Sequence, residues 1–144
     1  MRKSEIVEKL QAFPYDSSDY WVITGAAMVL YGLREETHDI DLGCTAAMAD
    51  KLEEQGYPCR LTPDGKRCFQ LGSGIEVFES WLYGTVVFAD GIPVISIPGL
   101  LEMKRRLGRE KDVKDVGLMN EYLKNRNTEE SEHVNCGREP EAAL

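Results

Sequence analysis

Long apolar runs are missing from these 144 residues. No uninterrupted hydrophobic stretch approaches the roughly 20 residues that span a bilayer, and the first residues are charged and amphipathic, unlike a signal peptide. Histidine is scarce, at 2 residues, and the 4 cysteines (Cys44, Cys59, Cys68, Cys136) have neither Cys-x-x-Cys spacing nor a companion histidine pattern. That argues against a zinc site and against a disulfide scaffold, and free structural thiols are expected. Positive charge is also short: 17 Lys and Arg face 25 Asp and Glu, for a net charge of −8. A protein whose main role is coating nucleic acid would need the opposite balance, although a local basic patch stays compatible with a nucleic-acid substrate. Internal repeats are lacking. What remains is a soluble, cytoplasmic protein whose length suits one compact domain with a real core.

The most informative stretch runs from Trp21 to Leu42, WVITGAAMVLYGLREETHDIDL. An apolar strand ending near Ile23 turns through Thr24-Gly25-Ala26 into a short helix over 26–31, which Gly32 closes. The chain then returns to a strand over 38–44 that contains Asp39-Ile40-Asp41. Alternation along a strand puts both carboxylates on one side. Two neighbouring anions repel unless a cation lies between them or one takes a proton, and a hard divalent ion such as Mg2+ suits oxygen ligands. A solvated strand end is the competing reading of the triplet. The strand, small-residue turn and helix aim backbone N–H groups outward, as a phosphate requires.

Elsewhere the chain alternates strands and helices. A first helix over 1–13 presents Ile6, Leu10 and Phe13 at helical spacing and stops at Pro14. Thr45 caps a helix over 46–55, which Gly56 closes. Strands over 57–62 and 66–71 flank Pro63-Asp64-Gly65, a hairpin signal; with Asp64-Gly65 as a two-residue loop, Cys59 would face Gln70 and Cys68 would face Leu61. Glu76 lies in the apolar run 75–78, with Glu79 just beyond it on the opposite face. A second Asp-Gly turn, Asp90-Gly91, separates strands over 81–89 and 92–97. Pro98 then opens a helix over 99–107, broken from the next at Gly108. Lys104, Arg105, Arg106, Arg109, Lys111 and Lys114 form the one basic cluster, which a solvated helix face would equally explain. The acidic segment 125–144 has too little apolar surface to offset its ordering entropy and reads as a disordered tail after a domain over 1–124.

Taken together, Gly25-Ala26, Gly32, Arg34, Thr37 and Asp39-Ile40-Asp41 resemble the nucleotidyltransferase superfamily, specifically its small bacterial members. Those include antibiotic nucleotidyltransferases and the toxins of abortive-infection and toxin–antitoxin systems. Ala26 departs from the family's Gly-Ser or Gly-Gly, and one extra residue separates Arg34 from Thr37. The stretch Arg109-Glu110-Lys111-Asp112-Val113-Lys114-Asp115 is similar to a late motif of the same family.

The resemblance implies an α+β fold, a small mixed β-sheet flanked by helices. It implies a metal-dependent transfer of NMP from an NTP to a hydroxyl acceptor, which is a small molecule, RNA or protein. Asp39 and Asp41 would hold one or two Mg2+ ions. Glu76 would be the third carboxylate, with Glu79 as the alternative. Gly25, Ala26, Arg34 and Thr37 would line the nucleotide site, and Lys104 and Lys111 would offset triphosphate charge. Asp115 would anchor its helix, against Arg34, rather than do chemistry. A cognate antitoxin or a second copy is the partner it suggests. The rival reading is the same fold without catalysis, a nucleotide-binding or regulatory module.

Overall fold

In the computed structural model, which describes residues 1–108 and 110–133, the sequence patterns become one mixed sheet with helices packed against it. The elements in chain order are α1 (Lys3–Gln11), β1 (Tyr20–Ile23), α2 (Thr24–Leu30), β2 (Ile40–Cys44), α3 (Ala46–Glu54) and β3 (Cys59–Leu61). There follow β4 (Arg67–Gly72), β5 (Ile75–Glu79), β6 (Val86–Ala89), β7 (Ile92–Ile95), α4 (Ile97–Leu107) and α5 (Glu110–His133). The 7 strands lie in the order β3-β4-β5-β2-β1-β7-β6. Two pairings are parallel, β1 with β7 and β2 with β5. The others are antiparallel, so the sheet is mixed and the class is α+β, as expected.

Local chemistry explains most boundaries. The Thr45 hydroxyl accepts from the Met48 N–H at 3.2 Å and starts α3, satisfying one of the donors a helix start leaves orphaned. The Ser96 hydroxyl does the same for Gly99 at the start of α4, with Pro98 in the first turn, and left-handed Gly108 ends that helix. Asp90 and Gly91 both have positive φ, the two-residue hairpin geometry whose twist matches the flanking strands, and Ala89 pairs with Ile92 across it.

The core is continuous. β1 and β2 contribute Val22, Ile23, Ile40 and Leu42; α2 adds Ala26, Ala27 and Met28; α3 adds Met48 and Leu52; β4 and β5 add Phe69 and Val77; α4 and α5 close it with Leu100, Met103 and Met119. Ile6 and Leu10 of α1 are buried against it, and Phe13 meets Tyr20 edge-on at 5.1 Å.

Several expectations shift. β2 begins at Ile40, so Asp39 precedes the strand instead of belonging to it. Glu79 lies within β5, not beyond it. Residues 81–85 are irregular, which confines β6 to Val86–Ala89. In the β3–β4 hairpin the Thr62 N–H donates to the Lys66 carbonyl, so the loop is Pro63-Asp64-Gly65, and left-handed Gly65 makes the longer turn possible. The register therefore moves by one: Cys59 faces Phe69 and Arg60 faces Cys68. The acidic tail expected over 125–144 lies largely outside the described residues, which end at His133 of α5, and Arg109 lies outside them as well.

Candidate functional site

The candidate residues gather where β1, β2 and β5 lie side by side. Register places Asp41 between Ile23 of β1 and Glu76 of β5, so Asp41 and Glu76 project from the same face. The Thr24 hydroxyl donates to Asp41 Oδ2 at 2.7 Å. Thr24 itself has φ +54, a left-handed conformation that costs a β-branched residue on the order of 1–3 kcal/mol. The chain thus turns from β1 into α2 through a strained residue whose side chain is aimed at Asp41. Nothing in residue spacing marks Thr24 as special; its place immediately before Gly25 is the one available clue.

Burial raises the pKa of the Asp41 carboxyl. The Thr24 hydrogen bond opposes that rise, the charges of Glu76 and Asp39 add to it, and Lys104 counters it. The two other carboxylates and one ammonium therefore all lie within electrostatic reach of Asp41. Asp39 is exposed at the mouth. Glu76 is differently employed: its Oε2 accepts from Arg60 Nη2 at 3.0 Å, from the Cys68 thiol at 3.4 Å and from the Gln70 amide. Burial, then the Glu76 charge, pushes the Cys68 pKa up to about 12, so this thiol stays protonated and donates. Arg60, Gln70 and Cys68 carry no recognisable motif; only the hairpin register brings them here.

Gly25 has its own reason. A Cβ built there would lie 2.7 Å from Thr37 Oγ1 and 2.9 Å from Arg34 Nη1, so the glycine makes room for both side chains. Thr37 is fixed by the chain start, its N–H donating to the Met1 carbonyl at 2.9 Å and its own carbonyl accepting from the Met1 amine. Ala26 is fully buried and offers the site only its backbone. Arg34 Nη2 meets Asp115 Oδ2 at 2.7 Å, and Lys104 Nζ meets the same oxygen at 3.2 Å. Asp115 therefore holds α5 against Arg34, the anchoring expected of it. Lys111 lies in the opening turns of α5, with its side chain outside the described residues.

Glu79 belongs to another cluster. Arg67 grips it through Nε and Nη2 at 3.1 and 2.9 Å while Nη1 reaches Asp50 and Glu53. That guanidinium holds the Glu79 pKa at about 2. Glu79 pairs with Cys44, three registers along the strand from Asp41, which removes it as the third carboxylate beside the Asp pair.

Oxygen ligands at Asp39 and Asp41 suit a hard divalent cation, and their mutual repulsion favours one. Among the described residues no three His, Cys, Asp or Glu side chains form a ready metal group, consistent with Glu76 being drawn towards Arg60 and Gln70. Asp39 and Asp41 thus supply carboxylate oxygens of the kind such an ion takes, with Glu76 as a neighbouring charge.

No family model matches the sequence, and no curated protein does. Among solved structures, the fold is similar to a proposed nucleotidyltransferase of Thermotoga maritima, with a TM-score of 0.51 at 17% identity over 85% of this chain and 90% of that one. A lincosamide antibiotic adenylyltransferase, solved with lincomycin bound, aligns with a TM-score of 0.47 at 16% identity over 81% of this chain and 91% of that one. No helix among the described residues is long and apolar enough to cross a membrane. The chain thus shares its α+β fold with the Thermotoga maritima protein.

Proposed function

We propose that this protein is a Mg2+-dependent nucleotidyltransferase that moves an NMP from an NTP to a hydroxyl acceptor. The observation that carries the reading is Asp41: a half-buried carboxylate, oriented by strained Thr24, flanked by Glu76 and Asp39, and within the field of Lys104. Sites of this composition are built to handle charge that arrives with a substrate.

In the proposed reaction the acceptor oxygen forms a bond to the α-phosphorus, the bond from that phosphorus to the β-bridging oxygen breaks, and pyrophosphate leaves. Bound ions would supply Lewis-acid and electrostatic stabilisation of attacking and leaving oxygens. Asp39 and Asp41 would hold them, Asp41 with one oxygen already fixed by Thr24. Lys104 and Arg34, both anchored on Asp115, present positive charge where the departing pyrophosphate gains negative charge. Gly25, Ala26 and Thr37 shape the phosphate side through backbone and hydroxyl groups, and Lys111, whose side chain lies outside the described residues, is the second lysine proposed to offset triphosphate charge. Glu76, on the strand next to Asp41, would accept the acceptor's proton, its Oε2 being the oxygen that Arg60, Cys68 and Gln70 engage.

Calorimetry of NTP binding with and without Mg2+ tests the reading on wild type, Asp39→Ala and Asp41→Ala. Mg2+-dependent binding in wild type and its loss in both variants is expected. Equal affinity in all three refutes the metal assignment. Incubation with labelled NTP and cell extract then reports the acceptor, and binding without any transfer would identify a non-catalytic module.

A further inference from the structure

Asp115 lies on α5, on neither the Thr24–Gly25 turn nor the strand carrying Asp41, and it is 4% exposed. A single oxygen of its carboxylate takes two cations from two other segments, Arg34 Nη2 at 2.7 Å and Lys104 Nζ at 3.2 Å. Lys104, on α4, is itself 3% exposed and its charge is felt at Asp41. The other arm of Arg34 closes on Gly25, with Nη1 2.9 Å from where a Cβ would stand.

We infer that Asp115 is a positioning residue for nucleotide transfer: it fixes the relative placement of Lys104 and Arg34 and, through Arg34, the turn at Gly25. The inference rests on the nucleotidyl-transfer reading above. Both cations come to that oxygen from other segments of the chain, so the one carboxylate sets where two positive charges stand. A guanidinium whose two arms point in different directions transmits position in a way that an ammonium cannot. Without the shared anion, the contact that sets Lys104 against Arg34 is lost, so positive charge persists while its relative placement changes.

That separates binding from chemistry. Asp115→Asn keeps the side-chain size and removes the charge, so NTP affinity should be retained or tightened. Turnover should fall about 10- to 100-fold, because an ångström of misplacement costs on that order. Arg34→Lys keeps the charge sum and loses the two-armed contact, and should show the same split without depending on whether Asp115→Asn folds. The measurements are the NTP Kd by calorimetry, kcat and KM by labelled-NMP transfer, and the folded fraction by circular dichroism.

Affinity within about threefold of wild type with kcat reduced at least tenfold in a folded variant supports the role. Unchanged kcat, a loss of kcat that only tracks a loss of affinity, or a loss that equals the unfolded fraction overturns it. Failure of the underlying reading has a different signature: wild type itself would neither bind nor transfer an NTP, and the inference would fall with it.

Discussion

Replacing Gly25 with Ala tests in one atom how the turn from β1 into α2 is packed. The new methyl would stand 2.7 Å from Thr37 Oγ1 and 2.9 Å from Arg34 Nη1, so both must retreat by roughly half an ångström to reach ordinary contact. Neither moves easily: Thr37 is tied through both backbone groups to Met1, its β-branched side chain has few rotamers, and Arg34 is held by Asp115. Overpacking of this kind costs about 1–3 kcal/mol. Against it stands the gain of about 1 kcal/mol that Ala has over Gly inside a helix. The balance is a loss of about 0–2 kcal/mol, read as a lower urea midpoint followed by circular dichroism. Displacing Arg34 by half an ångström should also slow NMP transfer by about tenfold. Adding Thr37→Ser, which lets the hydroxyl turn aside, should restore most of the stability. A Gly25→Ala protein that is more stable than wild type by the full helix-propensity gain and transfers NMP at the wild-type rate would refute the packing argument.

At the far end of β5, Arg67 lowers the Glu79 pKa from the usual 4.5 to about 2. A depressed carboxylate stabilises the fold above its unfolded pKa and loses that contribution as pH falls, so urea stability should decline between pH 4.5 and 2 and Glu79→Gln should flatten that decline. Gly43→Ala would place a Cβ 2.1 Å from Trp21 Nε1 and 2.7 Å from the Trp81 carbonyl, where backbone cannot yield. A loss of more than about 3 kcal/mol is expected in urea denaturation, and a change under about 1 kcal/mol would contradict the placement. At Thr24, whose φ is +54, Ala should be less stable than Gly by about 1 kcal/mol. That reverses the ordinary helix ranking, and denaturation of the two variants decides it.

How much of this the sequence discloses depends on the range of the interaction. Caps, turns and amphipathic faces are local, so Thr45, Gly108, Asp90-Gly91 and the Ile6/Leu10 stripe of α1 are legible before any coordinates. The pairing of Arg34 with Asp115 also follows from the family resemblance, although 81 residues separate them. Register is less accessible. A loop of Pro63-Asp64-Gly65 instead of Asp64-Gly65 alone moves Arg60 opposite Cys68, and from there its guanidinium reaches Glu76. No pattern along the chain encodes that contact, because a one-residue loop choice determines it. Thr24 escapes for a related reason. Its left-handed backbone is imposed by the surrounding fold, against its own preference, so propensity points away from its importance. Glu76 and Glu79 look alike in sequence, and only the guanidinium beside one of them separates their uses.

The geometry at Gly43 also gives this molecule an optical probe. Both tryptophans of the chain, 2 in all, sit together: the Trp21 indole crosses the β2 backbone and donates to the Trp81 carbonyl at 2.7 Å, and Trp81 stacks on Phe78 at 4.5 Å. Gly43 and Phe78 each follow a candidate carboxylate, Asp41 and Glu76, by two residues along neighbouring strands. Tryptophan emission from the native chain thus originates within about 7 Å of strand length from Asp41 and Glu76, so the proposed nucleotide and cation binding would be followed without attaching a dye.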